Sequence, residues 1–154
     1  MLKNDGKVIA IEPEKNNFKI LKKNIKLNNL NNVIVINKGC FSKRATLTFY
    51  LDGVGTGGHS LVNKSVGDEK IKIEVDSLDN ILKELKIKKI DLMKVDVEGA
   101  EADVLEGAVK TLNKSHPKIV FEAWNSVHLK RVEKILSKFN YKIKKIDDIN
   151  YFAY

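Results

Sequence analysis

The stretch Ile90-Asp91-Leu92-Met93-Lys94-Val95-Asp96-Val97-Glu98-Gly99-Ala100-Glu101 decides the fold. Its first part is largely apolar, as expected for a strand that is covered on both faces of a parallel sheet. The positions 100–112 then have the spacing of one amphipathic helix. Ligands of open α/β sheets bind outside the carboxyl ends of the strands. We therefore predict that Asp96 and Glu98 lie at a binding site.

A helix start is the alternative interpretation of these acids, because capping and the helix dipole favour carboxylates there. For Asp96 taken alone, both interpretations stay open. The acids Asp96, Glu98 and Glu101 fall within six residues, and their mutual repulsion is a cost that capping does not require. The close spacing therefore favours a site.

The composition bounds the class of protein. A chain of 154 residues, 43% of them hydrophobic, predicts a single domain with a real core. The formal charge of +8 comes almost entirely from lysines that are scattered along the chain. Base-specific recognition of nucleic acid relies on arginine, and only Arg44 and Arg131 occur. We therefore expect a solvated surface and no nucleic-acid partner.

Cysteine usage and hydropathy narrow the class further. Cys40 is the single cysteine, which excludes an internal disulfide framework, and with three scattered histidines it gives a metal site little support. No apolar run approaches the ~20 residues of a membrane span, and no signal peptide opens the chain. The expectation is a cytoplasmic protein with no membrane partner.

Strand and helix patterns alternate along the chain, which predicts an α/β fold with a mostly parallel sheet. Strands are predicted at 7–11, 33–36, 45–51, 70–75, 90–95 and 119–121, helices at 13–27, 78–85, 100–112 and 127–139, and a closing antiparallel hairpin at 141–146 and 151–154.

Two further acids stand at predicted strand ends. Glu12 follows the first strand, where a carboxylate accepts hydrogen bonds from the hydroxyls of a ribose; a helix-start acid is an equally good interpretation. Glu122 ends the strand after Asp96 and so points to the same sheet edge. We predict that His128 lies on an exposed helix face and that Cys40 packs rather than reacts. The glycine-rich stretch 53–58 predicts a flexible loop, since it opens no helix.

Four segments together carry a family resemblance: Val8-Ile9-Ala10-Ile11-Glu12-Pro13, then Leu21-x-x-Asn24-x-x-Leu27-Asn28, then Asp91 to Glu101, then Val104-Leu105-x-Gly107-Ala108. They resemble FkbM-type S-adenosylmethionine-dependent methyltransferases. The resemblance implies a Rossmann-like class I methyltransferase fold, S-adenosylmethionine as cofactor, and O-methylation of a hydroxyl group on a sugar or other small natural product. The implied partner is therefore a small-molecule or carbohydrate acceptor.

The resemblance also implies roles for individual residues. Glu12 would bind the cofactor ribose, and the segment Gly39, Cys40 and Phe41 would lie near the adenine. Ser60 and Asp96 would face the cofactor and the acceptor, while Glu98 and Glu122 would line the acceptor pocket. Asp96, Glu98 and Glu122 are thus the catalytic candidates, with Asp96 or Glu98 as the base for the hydroxyl proton.

One family feature has no counterpart here, because the first strand, its glycine-rich turn and its helix would precede residue 7. We therefore expect an N-terminally truncated fold. Unpaired edges at 8–11 and 90–95 would pair with each other or with a second chain, which predicts weak cofactor binding and self-association, for example as a homodimer. The competing hypothesis is a non-catalytic Rossmann-like module with at most weak nucleotide binding, acting through assembly. Nucleic-acid binding through the lysines ranks last.

Overall fold

A computed structural model describes residues 6–50 and 70–154; Ser60 and the stretch 53–58 lie outside the described residues. The strands are β1 (Val8–Ile11), β2 (Val33–Ile36), β3 (Gly39–Cys40), β4 (Ala45–Tyr50), β5 (Lys70–Asp76), β6 (Leu92–Val95), β7 (Lys118–Glu122), β8 (Ile143–Lys145) and β9 (Asn150–Ala153). The helices are α1 (Lys15–Leu27), α2 (Leu78–Glu84), α3 (Glu101–Glu106), α4 (Val109–Ser115) and α5 (Ser126–Leu136), which is followed by a 3-10 turn at Ser137–Phe139.

The strands form mixed sheets, so the prediction of a mostly parallel sheet is wrong. The orders are β1-β2, β3-β5-β4 and β6-β7-β9-β8. The pairs β1–β2, β3–β5 and β6–β7 are parallel, whereas β4–β5, β7–β9 and β8–β9 are antiparallel. Antiparallel pairs need no crossover helix, and the alternating patterns of β4 and β5 suit such a ribbon. The predicted closing hairpin is confirmed as β8 and β9.

Strand β6 is buried on one face only, which corrects the prediction of a strand covered on both faces. Met93 and Val95 are buried in the main core together with Phe121, whereas Leu92 is 61% exposed and Lys94 is exposed as well. Successive side chains of a strand point to opposite faces. The open face of β6 therefore carries Lys94 toward the strand end where Asp96 follows.

The predicted single helix over 100–112 is wrong, because the chain breaks between α3 and α4. A Cβ at Gly107 would lie 2.1 Å from the backbone oxygen of Phe41, so only glycine permits this crossing of two backbones. The Asp79 carboxylate then accepts the backbone N–H groups of Lys110 at 2.7 Å and Thr111 at 2.9 Å. A cap from a distant residue thus starts α4 as a separate helix.

The helices of the structure are short. Within residues 6–50 and 70–154, every helix falls below the length and apolarity that crossing a membrane requires.

Candidate active site

Two of the three catalytic candidates, Asp96 and Glu122, meet where β6 and β7 end. The two strands run parallel with Val95 beside Phe121, so Asp96 and Glu122 emerge at the same edge. The Lys94 ammonium forms an ion pair with Asp96 and lies 4.0 Å from Oε1 of Glu122. The structure therefore brings these carboxylates together as the sequence predicts, while their catalytic roles stay predictions.

Lys94 is a site residue that the sequence analysis missed. Its hydrogen bond to Asp96, more than its other contacts, raises the pKa of its ammonium, which stays charged at neutral pH. The signal was present in the sequence, because residues two apart in a strand share a face. Lys94 and Asp96 have that spacing.

The turn after Asp96 has an unusual backbone. Glu98 has a φ of +55° and Gly99 a φ of +99°, and left-handed conformations are uncommon for residues other than glycine. Glu101, only 2% exposed, fastens this turn by accepting the N–H groups of Val97 at 3.3 Å and Gly99 at 3.1 Å. The capping interpretation therefore applies to Glu101. Local strain of this kind concentrates at functional sites.

The carboxyl group of Glu98 in this turn has a raised pKa. Burial, followed by the negative charges of Asp96 and Glu122, raises its pKa to about 7, although Lys94 acts in the opposite direction. A general base works best when its pKa lies near the operating pH. Glu98 is therefore suited to exchanging a proton at neutral pH.

His128 packs against the same turn and is partly buried, so its predicted placement on an exposed helix is wrong. Asn125 caps α5 by accepting the N–H groups of Val127 and His128, both at 3.0 Å, and the imidazole lies against Gly99, where a Cβ would be 3.3 Å from Cε1. Its Nδ1 is buried without a hydrogen-bond partner among the described residues. The Trp124 ring, 41% exposed, has its centroid 5.9 Å from the imidazole.

Glu12 follows β1, and Gly39 opens β3 close to Pro13. Asn37, which follows β2, donates its side-chain N–H to the carbonyl oxygens of Glu12 at 2.9 Å and Pro13 at 3.1 Å. A Cβ at Gly39 would lie 3.7 Å from the Cβ of Pro13. The Glu12 carboxylate accepts the Glu14 N–H at 2.8 Å. Gly39 thus lies next to the residue that follows Glu12, and the cofactor roles of both stay predictions.

Cys40 and Phe41 follow Gly39 and lie beside β5. Cys40 packs against the main core as predicted, and burial together with the charge of Asp76 raises the pKa of its thiol to about 12. The Phe41 N–H donates to the Asp76 carbonyl at 2.9 Å. The segment is therefore rigidly held, and its place near an adenine stays a prediction.

Asp76 is a fully buried acid that the sequence analysis did not single out. Burial would raise the pKa of its carboxyl, but hydrogen bonds from Asn80 and Arg44 outweigh burial and lower it. The carboxylate accepts Asn80 Nδ2 at 2.9 Å and Arg44 Nε at 2.7 Å. Asp76 therefore joins β5 to α2, and this structural role explains why a buried carboxylate stands there.

Comparison with known proteins settles the family. The family model described as the methyltransferase FkbM domain matches residues 1–143. This chain belongs to the FkbM methyltransferase family. "Methyltransferase 1" of Beauveria bassiana (strain ARSEF 2860) is 29% identical over 119 residues, which are 65% of this chain and 48% of the relative. The chain therefore spans about half the length of the curated relative that it matches.

A solved structure supports the fold of this FkbM domain. The crystal structure of methyltransferase FkbM from Methylobacillus flagellatus KT matches with a TM-score of 0.66 and 21% identity. The match covers 96% of this chain and 36% of that chain. The family resemblance is thus confirmed, and the mixed α/β architecture is that of an FkbM methyltransferase structure.

The residues of this FkbM domain fit a sulfonium cofactor by their hydrogen-bond acceptors and their negative charge. The carboxylate of Glu12 stands at a strand end where it can accept from ribose hydroxyls. Carboxylates at the turn after β6 complement the positive charge of a sulfonium. No group of three or more His, Cys, Asp or Glu in residues 6–50 and 70–154 has a metal-binding arrangement.

The raised pKa of Glu98 predicts a pH-dependent effect of the substitution Glu98→Gln. Since the folded pKa of about 7 exceeds the ordinary value, the folded state binds more protons, and stability falls as pH rises through the window between the two values. Because glutamine does not ionise, Glu98→Gln removes this loss of stability. After discounting for solvent screening, we expect a gain on the order of 1 kcal/mol at pH 8, or about 2–4 °C in Tm, and almost none at pH 4.

Thermal unfolding at both pH values measures the effect. Asp91→Asn is the matched control, because Asp91 forms a solvent-exposed ion pair with Lys89 and should show no such difference. Equal gains at pH 4 and pH 8 would contradict the prediction.

Proposed function

We propose that this FkbM domain is an S-adenosylmethionine-dependent methyltransferase that methylates a hydroxyl group of a sugar or another small natural product. The observation that carries the proposal is the pairing of Asp96 and Glu122 with Lys94 at the coincident ends of β6 and β7, where Glu98 interacts electrostatically with all three. Membership in the FkbM family supports it. The proposal takes the α/β architecture as a Rossmann-like class I fold, in which ligands bind at this edge.

The cofactor, when bound, supplies a methyl group activated by its sulfonium. In the proposal Glu12 accepts hydrogen bonds from the ribose hydroxyls, while Gly39, Cys40 and Phe41 flank the adenine. Ser60, outside the described residues, keeps its proposed place facing the cofactor. These contacts contribute mainly alignment, which is the largest part of what a methyl transfer requires.

In the proposal, the carboxylates at the ends of β6 and β7 and in the turn after β6 bind the methyl acceptor. Asp96, fixed by Lys94, and Glu122 accept hydrogen bonds from acceptor hydroxyls and orient the one to be methylated. Glu98 takes the proton of that hydroxyl, because its pKa of about 7 suits a general base. The proton would pass from the hydroxyl to Glu98 as the hydroxyl oxygen bonds to the methyl carbon and the bond between that carbon and sulfur breaks, which leaves S-adenosylhomocysteine.

Calorimetric titration with S-adenosylmethionine and S-adenosylhomocysteine tests the cofactor assignment. We expect saturable heats with both nucleotides, weakened about tenfold or more by Glu12→Gln through loss of a charged acceptor, and unchanged by Glu74→Gln on the exposed side of β5. Transfer of a labelled methyl group to a panel of methyl glycosides tests the reaction.

The competing hypothesis of a non-catalytic module predicts a different result. No heat with either nucleotide at millimolar concentration would contradict the proposed function and favour that module. The same titration measures whether the cofactor binds as weakly as the sequence predicts. Sedimentation at several protein concentrations measures self-association. The edges tested are that of β1 away from β2 and that of β6 away from β7, which pair with no strand within the described residues.

A further inference from the structure

Helix α1 carries its lysines on one face. The 13 residues Lys15–Leu27 include no acidic residue. Five exposed lysines follow one another at spacings of four, three, one and three residues, which keeps them within about 100° around the helix axis. These five residues form the lysine stripe: Lys15, Lys19, Lys22, Lys23 and Lys26.

The protein does not neutralise the charge of the lysine stripe. No ion pair within residues 6–50 and 70–154 includes one of its ammonium groups, and Lys22 lies 5.7 Å from the centre of the Phe18 ring. On α5, by contrast, Arg131 pairs with Asp103 at 3.3 Å. The acid that precedes α1, Glu14, is only 6% exposed and caps the helix start. Helix α1 therefore presents an uncompensated positive surface.

Exposed aliphatic side chains accompany the lysine stripe. Ile20 is 51% exposed and Leu27 is 67% exposed, and their spacing of seven residues places them along one line of the helix surface. At the end of the helix, Lys22 and Lys26 border a groove of about 240 Å³ that Leu30 also lines. Ammonium groups and exposed apolar groups are therefore close neighbours on this side of the protein.

We propose that α1 docks on the surface of a membrane that contains anionic lipids. The lysine stripe lies against the lipid phosphates, and Ile20 and Leu27 enter the boundary between headgroups and acyl chains. This inference does not depend on the proposed function. It departs from the expectation of no membrane partner, which concerned segments that span a bilayer, because a helix that lies in the interface needs no such segment.

The charge and the length of α1 match an anionic bilayer. Anionic headgroups give a bilayer a negative surface potential, and each lysine close to that surface strengthens binding about fivefold. A helix of 13 residues is about 20 Å long, so the five ammonium groups reach the surface together when the helix lies flat on it. Lysine suits this contact, because its aliphatic stem packs along apolar groups while the ammonium reaches a phosphate.

The aliphatic residues favour a bilayer over other polyanions. A nucleic acid would contact the ammonium groups through its phosphates and would leave Ile20 and Leu27 in water. A bilayer removes both side chains from water, which adds a favourable contribution that a polyanion does not supply. Lysines beside an apolar face are typical of helices that lie on membranes.

Flotation with lipid vesicles tests the docking. The protein should float with vesicles of about 30% phosphatidylglycerol in phosphatidylcholine and stay unbound with vesicles of phosphatidylcholine alone. Binding to the anionic vesicles should fall about tenfold or more when the salt concentration rises from about 0.1 M to about 0.5 M, because salt screens the attraction.

Two variants separate the charges from the apolar groups. The triple variant Lys19→Gln, Lys22→Gln and Lys23→Gln should bind the anionic vesicles about 100-fold more weakly, at about fivefold per lysine. The double variant Ile20→Gln and Leu27→Gln should bind them about tenfold more weakly, with unchanged binding to soluble polyphosphate. All five side chains are exposed, so far-UV circular dichroism should show the wild-type fold for both variants.

A matched control removes the same charge elsewhere. Lys110→Gln, Lys114→Gln and Lys144→Gln together change three exposed lysines outside α1. This control should bind the anionic vesicles within about twofold of the wild type, since the attraction decays within a Debye length of the surface. Equal losses in the two triple variants would overturn the inference, because binding would then follow net charge alone.

Three other outcomes would also overturn the inference. Equal binding to both kinds of vesicle, or binding to neither, would exclude docking on anionic lipid. Vesicle binding unaffected by Ile20→Gln and Leu27→Gln, together with equally tight binding to polyphosphate, would identify a general polyanion surface. Loss of self-association in that double variant, without vesicle binding by the wild type, would identify a second copy of the chain as the occupant.

Discussion

Replacing Asp96 with asparagine should lower kcat/KM by about 10²- to 10³-fold, within the range that acid–base and orienting groups contribute. The amide keeps the shape of the side chain but loses the charge that pairs with Lys94 and one acceptor position for the substrate hydroxyl. Stability should change little, because the side chains of Lys94 and Asp96 are 60% and 37% exposed and exposed ion pairs contribute little to folding. Initial rates and thermal unfolding measure the two effects separately.

Asp91→Asn is the control for Asp96→Asn, since Asp91 also pairs with a lysine but lies before β6 and far along the strand from its carboxyl end. It should retain full activity. Loss of folding in Asp96→Asn would instead identify Asp96 as a structural cap, and unchanged turnover would remove it from the mechanism.

Gly107→Ala should destabilise the fold by about 3 kcal/mol, at the upper end of overpacking effects. The added Cβ would lie 2.1 Å from the Phe41 oxygen and 3.2 Å from the Ser77 Cα. Both are backbone atoms, which cannot rotate away as a flexible side chain does. Separating them would also disturb the Asp79 N–H bond to the Gly107 carbonyl, now 3.0 Å. Urea unfolding measures the loss of stability.

Glu106→Ala is the matched control for Gly107→Ala, because it changes the adjacent and exposed position at the end of α3. Its effect should stay within about 0.5 kcal/mol, as at most surface positions. If Gly107→Ala unfolded at the same urea concentration as this control, the close approach of the Phe41 oxygen to residue 107 would have no effect on the free energy of unfolding.

The elements were predictable because their hydrophobic periods are local. The 3.6-residue spacing of α1 and the alternation in β4 need only neighbouring residues to be recognised. The break between α3 and α4 was not predictable, because its cause is a contact between residues 41 and 107. The mixed sheets likewise arise from β9 pairing with β7, a long-range choice that periodicity does not record.

Some residues of the candidate site were likewise predictable from local sequence, and others were not. Asp96 and Glu122 were predictable because each follows a strand, and the ends of parallel neighbours coincide. Lys94 was predictable from its two-residue spacing to Asp96. The inward placement of His128 was not, because it depends on the cap that Asn125 provides and on how α5 packs over Gly99.

The order β6-β7-β9-β8 has a consequence for protein synthesis. Strand β9 follows β8 in the chain but lies between it and β7, so β8 joins this sheet only through β9. The nascent chain emerges with its N-terminal part first. Until residues 150–153 have left the ribosome, β7 has an open edge that includes Val120 and Phe121. The growing polypeptide is therefore exposed to edge-to-edge aggregation at β7 between the emergence of β7 from the ribosome and that of β9.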